Sequence, residues 1–165
     1  MPELLITMAI FLILIALSIV GMTKLRSRSK LTRITEELNG IATAVTQYAE
    51  DNNYAYPADT SRSVPPGLEK YLAGGKWPTS VWPEGVFDWD SWVNGSNQQI
   101  YQMSYRLCDI SDPIASCSDP QLFPHFTRNS SIYYCISGPC VPHRDYPTDP
   151  GYCVNCKPKE INPPV

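Results

Sequence analysis

From Leu4 to Thr23 the chain carries no charged residue, and most positions in the run are Leu, Ile, Val, Met, Phe or Ala. As a helix, a run of roughly 20 residues is roughly 30 Å long, enough to cross the hydrocarbon core of a bilayer. A membrane anchor is therefore expected at residues 1–23. A secretory signal peptide would carry its basic residues ahead of a shorter apolar core. Here Lys24, Arg26, Arg28, Lys30 and Arg33 follow the run, so the segment is expected to be retained rather than removed. Mean hydropathy over the whole chain is −0.22, so the remainder has an ordinary water-facing composition and no second segment can span. With 165 residues in all, the chain has room for one compact domain behind one anchor, which excludes a polytopic membrane protein and a large multidomain enzyme.

Beyond the anchor, apolar residues recur at Leu31, Ile34, Leu38, Ile41, Val45 and Tyr48, a 3-4-3-4-3 spacing that places them on one helical stripe. Nothing between Thr23 and Leu31 breaks a helix. The pattern predicts one rod from about Pro2 to about Asp51, about 70 Å long, apolar all round in its first half and amphipathic over 24–53. Gly21 and Gly40 are weak points, each costing roughly 1 kcal/mol relative to alanine. At Gly21 this permits local melting or close helix packing. Asp51-Asn52-Asn53 followed by Tyr56-Pro57 supplies the stop, since proline disfavours helical geometry in the residue before it.

Charge is divided unevenly. Up to Arg33 there are five basic residues against Glu3, and afterwards eight against fifteen acids, so an overall −3 hides an acidic distal part. Phosphate binding needs a basic surface, so no nucleic acid is expected on the head. All six cysteines, Cys108, Cys117, Cys135, Cys140, Cys153 and Cys156, lie in the distal half, and ten of the sixteen prolines lie beyond Asp112. An even number of cysteines behind an anchor reads as a disulfide framework formed in an oxidising compartment. Cys108 and Cys117 bracket a short loop and are expected to pair. Because bridging adjacent residues of Cys153-x2-Cys156 is strained, crosswise bonds from that pair to Cys135 and Cys140 are expected. The same four residues could hold zinc tetrahedrally, but export favours disulfides.

The head reads as α+β. Trp77, Trp82, Trp89 and Trp92, interrupted by prolines and aspartates, suggest a packed loop over the helix. Asn94-Gly95 marks a turn into a strand over 98–107, and a further strand fits Ser131–Ser137. A small antiparallel sheet is expected, with the head's loop and first strands over 54–107 and a disulfide-stapled, proline-rich region at 108–165. His125 and His143 both adjoin proline, and nucleophile-elbow, zinc-protease and phosphate-loop motifs are lacking, so neither catalysis nor a cofactor is expected.

Three features together resemble the bacterial type IV pilins and the related major pseudopilins of type II secretion. These are Pro2-Glu3-Leu4-Leu5 opening an apolar helix, the long rod, and the run from Ala44 through Asp51-Asn52-Asn53 to Tyr56-Pro57. Gly67-Leu68-Glu69 to Leu72 and Trp77-Pro78 continue in a similar order, so the likeness covers about the first 80 residues. The family's mature chain starts with Phe, follows a basic leader and carries its glutamate at the fifth place, whereas Glu3 is third here: either the start is trimmed, or the start codon is misassigned, or the chain is an unusual member. Such a leader would oppose the tendency of the positive charges at 24–33 to hold the distal part in the cytoplasm, and the head is expected outside.

The resemblance implies a subunit that polymerises with itself, is stored in the inner membrane and is handled by pilus assembly machinery. It makes Glu3 the partner of a neighbour's terminal amine, and Leu4, Leu5, Phe11 and Gly21 part of the filament core. Asp88 and Asp90 fall where major pseudopilins have an acidic, calcium-associated loop, although two carboxylates are fewer than calcium takes. A periplasmic pseudopilin and a single-pass binding domain are the alternatives.

Overall fold

The computed structural model describes residues 2–108, 126–140, 151–156 and 161–162; within the N-terminal helix the described side chains are those of 6–15 and 25–51. The helix, α1, is assigned to Pro2–Asp51. Its second half behaves as the spacing requires: Ile34, Leu38 and Val45 are fully buried, Ile41 is nearly so, and Leu31 and Tyr48 pack at the margins. The helix stops without glycine. Asn53 and Tyr54 adopt φ of 55° and 62°, and the Tyr54 amide donates back to the Ala49 carbonyl at 2.7 Å, so one of the last carbonyls is capped by the reversing chain.

The sheet runs in the order β1 (Val86–Val93), β2 (Gln99–Arg106), β3 (Ser131–Ser137), β4 (Gly151–Cys153), with a two-residue β5 (Ile161–Asn162) at the edge. β1 and β2 form a hairpin through the turn expected at Asn94-Gly95, where the Asn94 side-chain oxygen accepts the amides of Ser96 and Gln98. The strand expected over Ser131–Ser137 is β3, paired antiparallel to β2.

Two expectations are corrected. The sheet is mixed rather than antiparallel, because β4 joins β3 in parallel. The Trp89 and Trp92 segment is not a loop but the strand β1. Aspartate is a poor strand former, yet Phe87 and Trp89 face the helix while Asp88 and Asp90 face the other way, an alternation of period two. The C-terminal region contributes β3 and β4 to the sheet that β1 and β2 begin.

The core lies between α1 and one face of the sheet, where Ile34, Leu38, Ile41 and Val45 meet Phe87, Trp89, Met103, Tyr105 and Ile132, with Leu68 at the side. The segment after the helix is strapped along the free edge of β1. Trp89 donates its indole N–H to the Pro57 carbonyl at 3.1 Å, the Ser91 amide donates to Asp59, and Trp77 donates to the Arg62 carbonyl. This covers an edge that would otherwise be open to pairing with another strand.

Tyr105 closes a ring of hydrogen bonds with the strap. The Trp82 amide donates to its hydroxyl at 2.9 Å, Ser80 lies 2.6 Å from that hydroxyl, and Ser80 donates to the Trp82 carbonyl. A Cβ at Gly85 would collide with the Tyr105 hydroxyl, so glycine is required there.

Two predictions follow from this packing. Leu38→Ala should cost about 2–5 kcal/mol, read from chemical unfolding of the full chain followed by tryptophan emission; an unchanged midpoint would mean that the stripe is not buried. Burial raises the Tyr105 pKa above its ordinary value of 10.0. A raised folded-state pKa gives stability that is complete below the unfolded-state pKa and lost as pH rises through the folded one. Stability should therefore decline above about pH 10, and Tyr105→Phe should flatten part of that decline; an identical alkaline slope in the variant would contradict the assignment.

Candidate functional site

Three regions hold side chains whose placement asks for an explanation beyond the core. The first is the front of α1. From Ile6 to Ile15 every large apolar side chain stands more than half exposed, with Phe11 at 69% and Leu12 at 67%. Thr7, Met8, Phe11 and Leu12 line a shallow hollow on this surface. A helix that is apolar all round is stable only when something surrounds it, and an exposed apolar area this continuous marks an interaction surface.

Of the expected assembly residues, Phe11 lies on this surface. For Glu3, Leu4, Leu5 and Gly21 only the helical backbone is described. Among the described residues, no helix is long and apolar enough to cross a membrane. The apolar side chains described there are those of 6–15, about half of the roughly 20 residues that a span needs.

Of the basic residues behind this segment, Arg26, Arg28 and Arg33 are exposed and Lys30 is half-buried. Lys30 lies over the Trp82 ring at 4.6 Å, where the ring face attracts its charge. Arg33 pairs with Glu37 one turn on at 3.9 Å, an exposed contact that contributes little. At the helix's end the exposed Tyr71 hydroxyl donates to Asp51 at 2.6 Å. That bond raises the Tyr71 pKa and ties the 3₁₀ turn at Leu68–Lys70 to α1.

The second region is the sheet face turned away from α1, which is polar and buried. Arg106 reaches Asp88 at 2.8 Å and Asp90 at 3.6 Å. The other Asp88 oxygen accepts the Arg62 amide at 2.8 Å, and Asp90 accepts the Ser104 hydroxyl at 2.8 Å. The four side chains, Asp88 and Asp90 of β1 and Ser104 and Arg106 of β2, are buried, and the strap contributes the Arg62 backbone amide. Asp88 and Asp90, the weak calcium candidates, lie in the strand β1 and not in a loop: a guanidinium meets both carboxylates, and their charge holds the strap and two strands together. Between them and β3, Gln102 is fully buried, and its amide atoms have no hydrogen-bond partner among the described residues.

The third region is the cysteine cluster on the same face. Cys135 bonds to Cys140 and Cys153 to Cys156, with Cα–Cα separations of 5.7 Å and 5.5 Å, ordinary for disulfides. This corrects the crosswise pairing. The parallel register sets Cys153 beside Tyr133, and the Val154 amide continues it by donating to the Tyr133 carbonyl at 2.8 Å. Asn155 then clamps Cys135 from both sides, accepting its amide at 2.9 Å and donating to its carbonyl at 2.7 Å. Two cysteine-bearing turns are thus held side by side, and each closes on itself. Gly138, at φ 87°, makes the first turn possible; a Cβ there would strike the Gln99 carbonyl. Cys108 is disulfide-bonded, and its expected partner, Cys117, lies outside the described residues.

Comparison of the chain with known protein families, with characterised proteins and with solved structures finds no match.

The aspartate–arginine group was not legible as such in the sequence, since Arg106 lies far from Asp88 and Asp90 along the chain. The one available signal was the alternation of aromatic and acid in Phe87-Asp88-Trp89-Asp90. Arg106→Met should leave two buried carboxylates without their cation and destabilise the chain by about 3–5 kcal/mol in chemical unfolding. Changing Asp88 and Asp90 to Asn in the same chain should recover part of that loss. Equal stability of Arg106→Met and the wild type would mean that the group is hydrated rather than buried.

Proposed function

We propose that this chain is a structural subunit that polymerises through its N-terminal helix into a type IV pilus-like filament on the cell surface. The observation that carries the reading is the continuous apolar surface from Ile6 to Ile15, exposed all round on the same helix whose later turns are the core of the head. Two surroundings satisfy such a surface in turn. Before assembly, the uncharged run Leu4–Thr23 is long enough for an inner-membrane anchor. After assembly, the same side chains pack against those of neighbouring copies, while the head, with its disulfides, faces outward.

On this reading Glu3 acts at the entrance to the apolar bundle. A carboxylate among apolar helices is costly unless a positive group meets it. The terminal amine of a neighbouring subunit is such a group, and pairing with it fixes the axial register. The pilus assembly machinery would extract subunits from the membrane and supply them to the growing end. The chemistry is structural, and no reaction or cofactor is assigned to it.

Shearing cells that express the protein should release long fibres made of this polypeptide, and Glu3→Ala should leave the protein in the membrane with its head folded while fibre yield falls at least tenfold. Wild-type fibre numbers from Glu3→Ala would remove the assembly role of that carboxylate. A chain found only as membrane-bound monomers would favour a single-pass binding domain, and a chain confined to short periplasmic assemblies would favour a pseudopilin.

A further inference from the structure

The sulfurs of Cys135, Cys140, Cys153 and Cys156 all lie within 4.8 Å of one another. Two disulfides placed independently have no reason to share one point in space. Here, parallel pairing of β3 with β4 and the two-sided hold of Asn155 on Cys135 bring both turns to the same spot. Across the two bonds, Cys135 Sγ and Cys153 Sγ are 3.9 Å apart. A tetrahedral zinc ion with Zn–S bonds of about 2.3 Å sets its ligands about 3.8 Å from each other. The cross-bond separation already has that value, so the backbone needs little movement to present four sulfurs to one ion. Cys135 and Cys153 are buried, which protects a metal from water on that side. The spacings, Cys-x4-Cys and Cys-x2-Cys, fall within those of structural zinc sites.

We propose that these four cysteines, once reduced, form a zinc tetrathiolate site, so that the same sulfurs hold the distal part of the head either through two disulfides or through one metal ion. The conversion balances simply. Two equivalents of a dithiol reductant break the two S–S bonds, delivering four electrons and four protons to give four thiols, while each dithiol becomes a disulfide. Zinc then replaces the four thiol protons, which pass to solvent. The redox poise of the surroundings selects the state, and the fold of β3 and β4 is common to both because Asn155 and the strand register do not depend on either linkage.

The test uses the full chain in detergent, reduced anaerobically with a dithiol that is then removed, and titrated with zinc alone or cobalt alone. One zinc per chain should survive gel filtration, and cobalt should give the visible bands and sulfur-to-metal charge transfer of a tetrahedral four-thiolate centre. The oxidised chain should retain none. Cys153→Ser should abolish the four-thiolate spectrum, whereas Cys108→Ser, outside the cluster, should leave it unchanged. Reduced wild-type protein that elutes free of zinc overturns the proposal, as does zinc retention by the oxidised chain or equal loss in Cys108→Ser and Cys153→Ser. None of these readings depends on whether the protein forms filaments.

Discussion

The contact between the second half of α1 and the sheet holds the molecule together. Ile34, Leu38, Ile41 and Val45 leave water against Phe87, Trp89, Met103, Tyr105 and Ile132. At roughly 1.5–3 kcal/mol for each fully buried aliphatic side chain, these four helix residues alone contribute about 6–12 kcal/mol before chain entropy is counted. The disulfides contribute less than their number suggests. Cys135–Cys140 and Cys153–Cys156 each close a loop of only a few residues, separations of 5 and 3 in sequence, and short loops restrict the unfolded chain by only about 2 kcal/mol. The head is therefore held by its core first, and the cysteines secure the side that the core does not reach.

That other side is polar, which follows from the strand period. Once Phe87 and Trp89 face the helix, Asp88 and Asp90 must face away, and Arg106 and Ser104 of β2 are the residues that meet them. Pairing two acids with one guanidinium and with backbone and hydroxyl donors gives little net stability by itself, but removing any member leaves a buried charge. The group thus fixes which residues of β1 and β2 stand opposite each other, and through the Arg62 amide it fixes the strap as well. Asn155 does the same for β3 and the turn after β4, using an amide in place of charge.

The helix was legible because its period is local: the stripe from Leu31 to Tyr48 can be read without knowing what it packs against. The strands at Gln99–Arg106 and Ser131–Ser137 were legible for the same reason, being β-branched and aromatic between turn signals. What failed depended on partners distant in sequence. Asp88 and Asp90 argued against a strand, and only Arg106 across the ladder makes them tolerable there. The expected crosswise cysteine pairing fails because the turn after β4 brings Cys153 and Cys156 to an ordinary Cα–Cα separation of 5.5 Å, a backbone path that the Cys-x2-Cys spacing does not reveal. For the front of α1 the apolar character is legible in the sequence, and the structure adds that the large apolar side chains from Ile6 to Ile15 stand more than half exposed.

The proposed polymerisation requires that this exposed segment pack against other copies of the same chain. A photo-crosslinking amino acid in place of Phe11, 69% exposed at the middle of the surface, tests it most directly. Irradiation of cells should give a ladder of dimers and higher multimers of this polypeptide alone, with the ladder lost when Glu3→Ala is added to the same chain. Crosslinks only to lipid, with the protein running as a monomer, would contradict the claim.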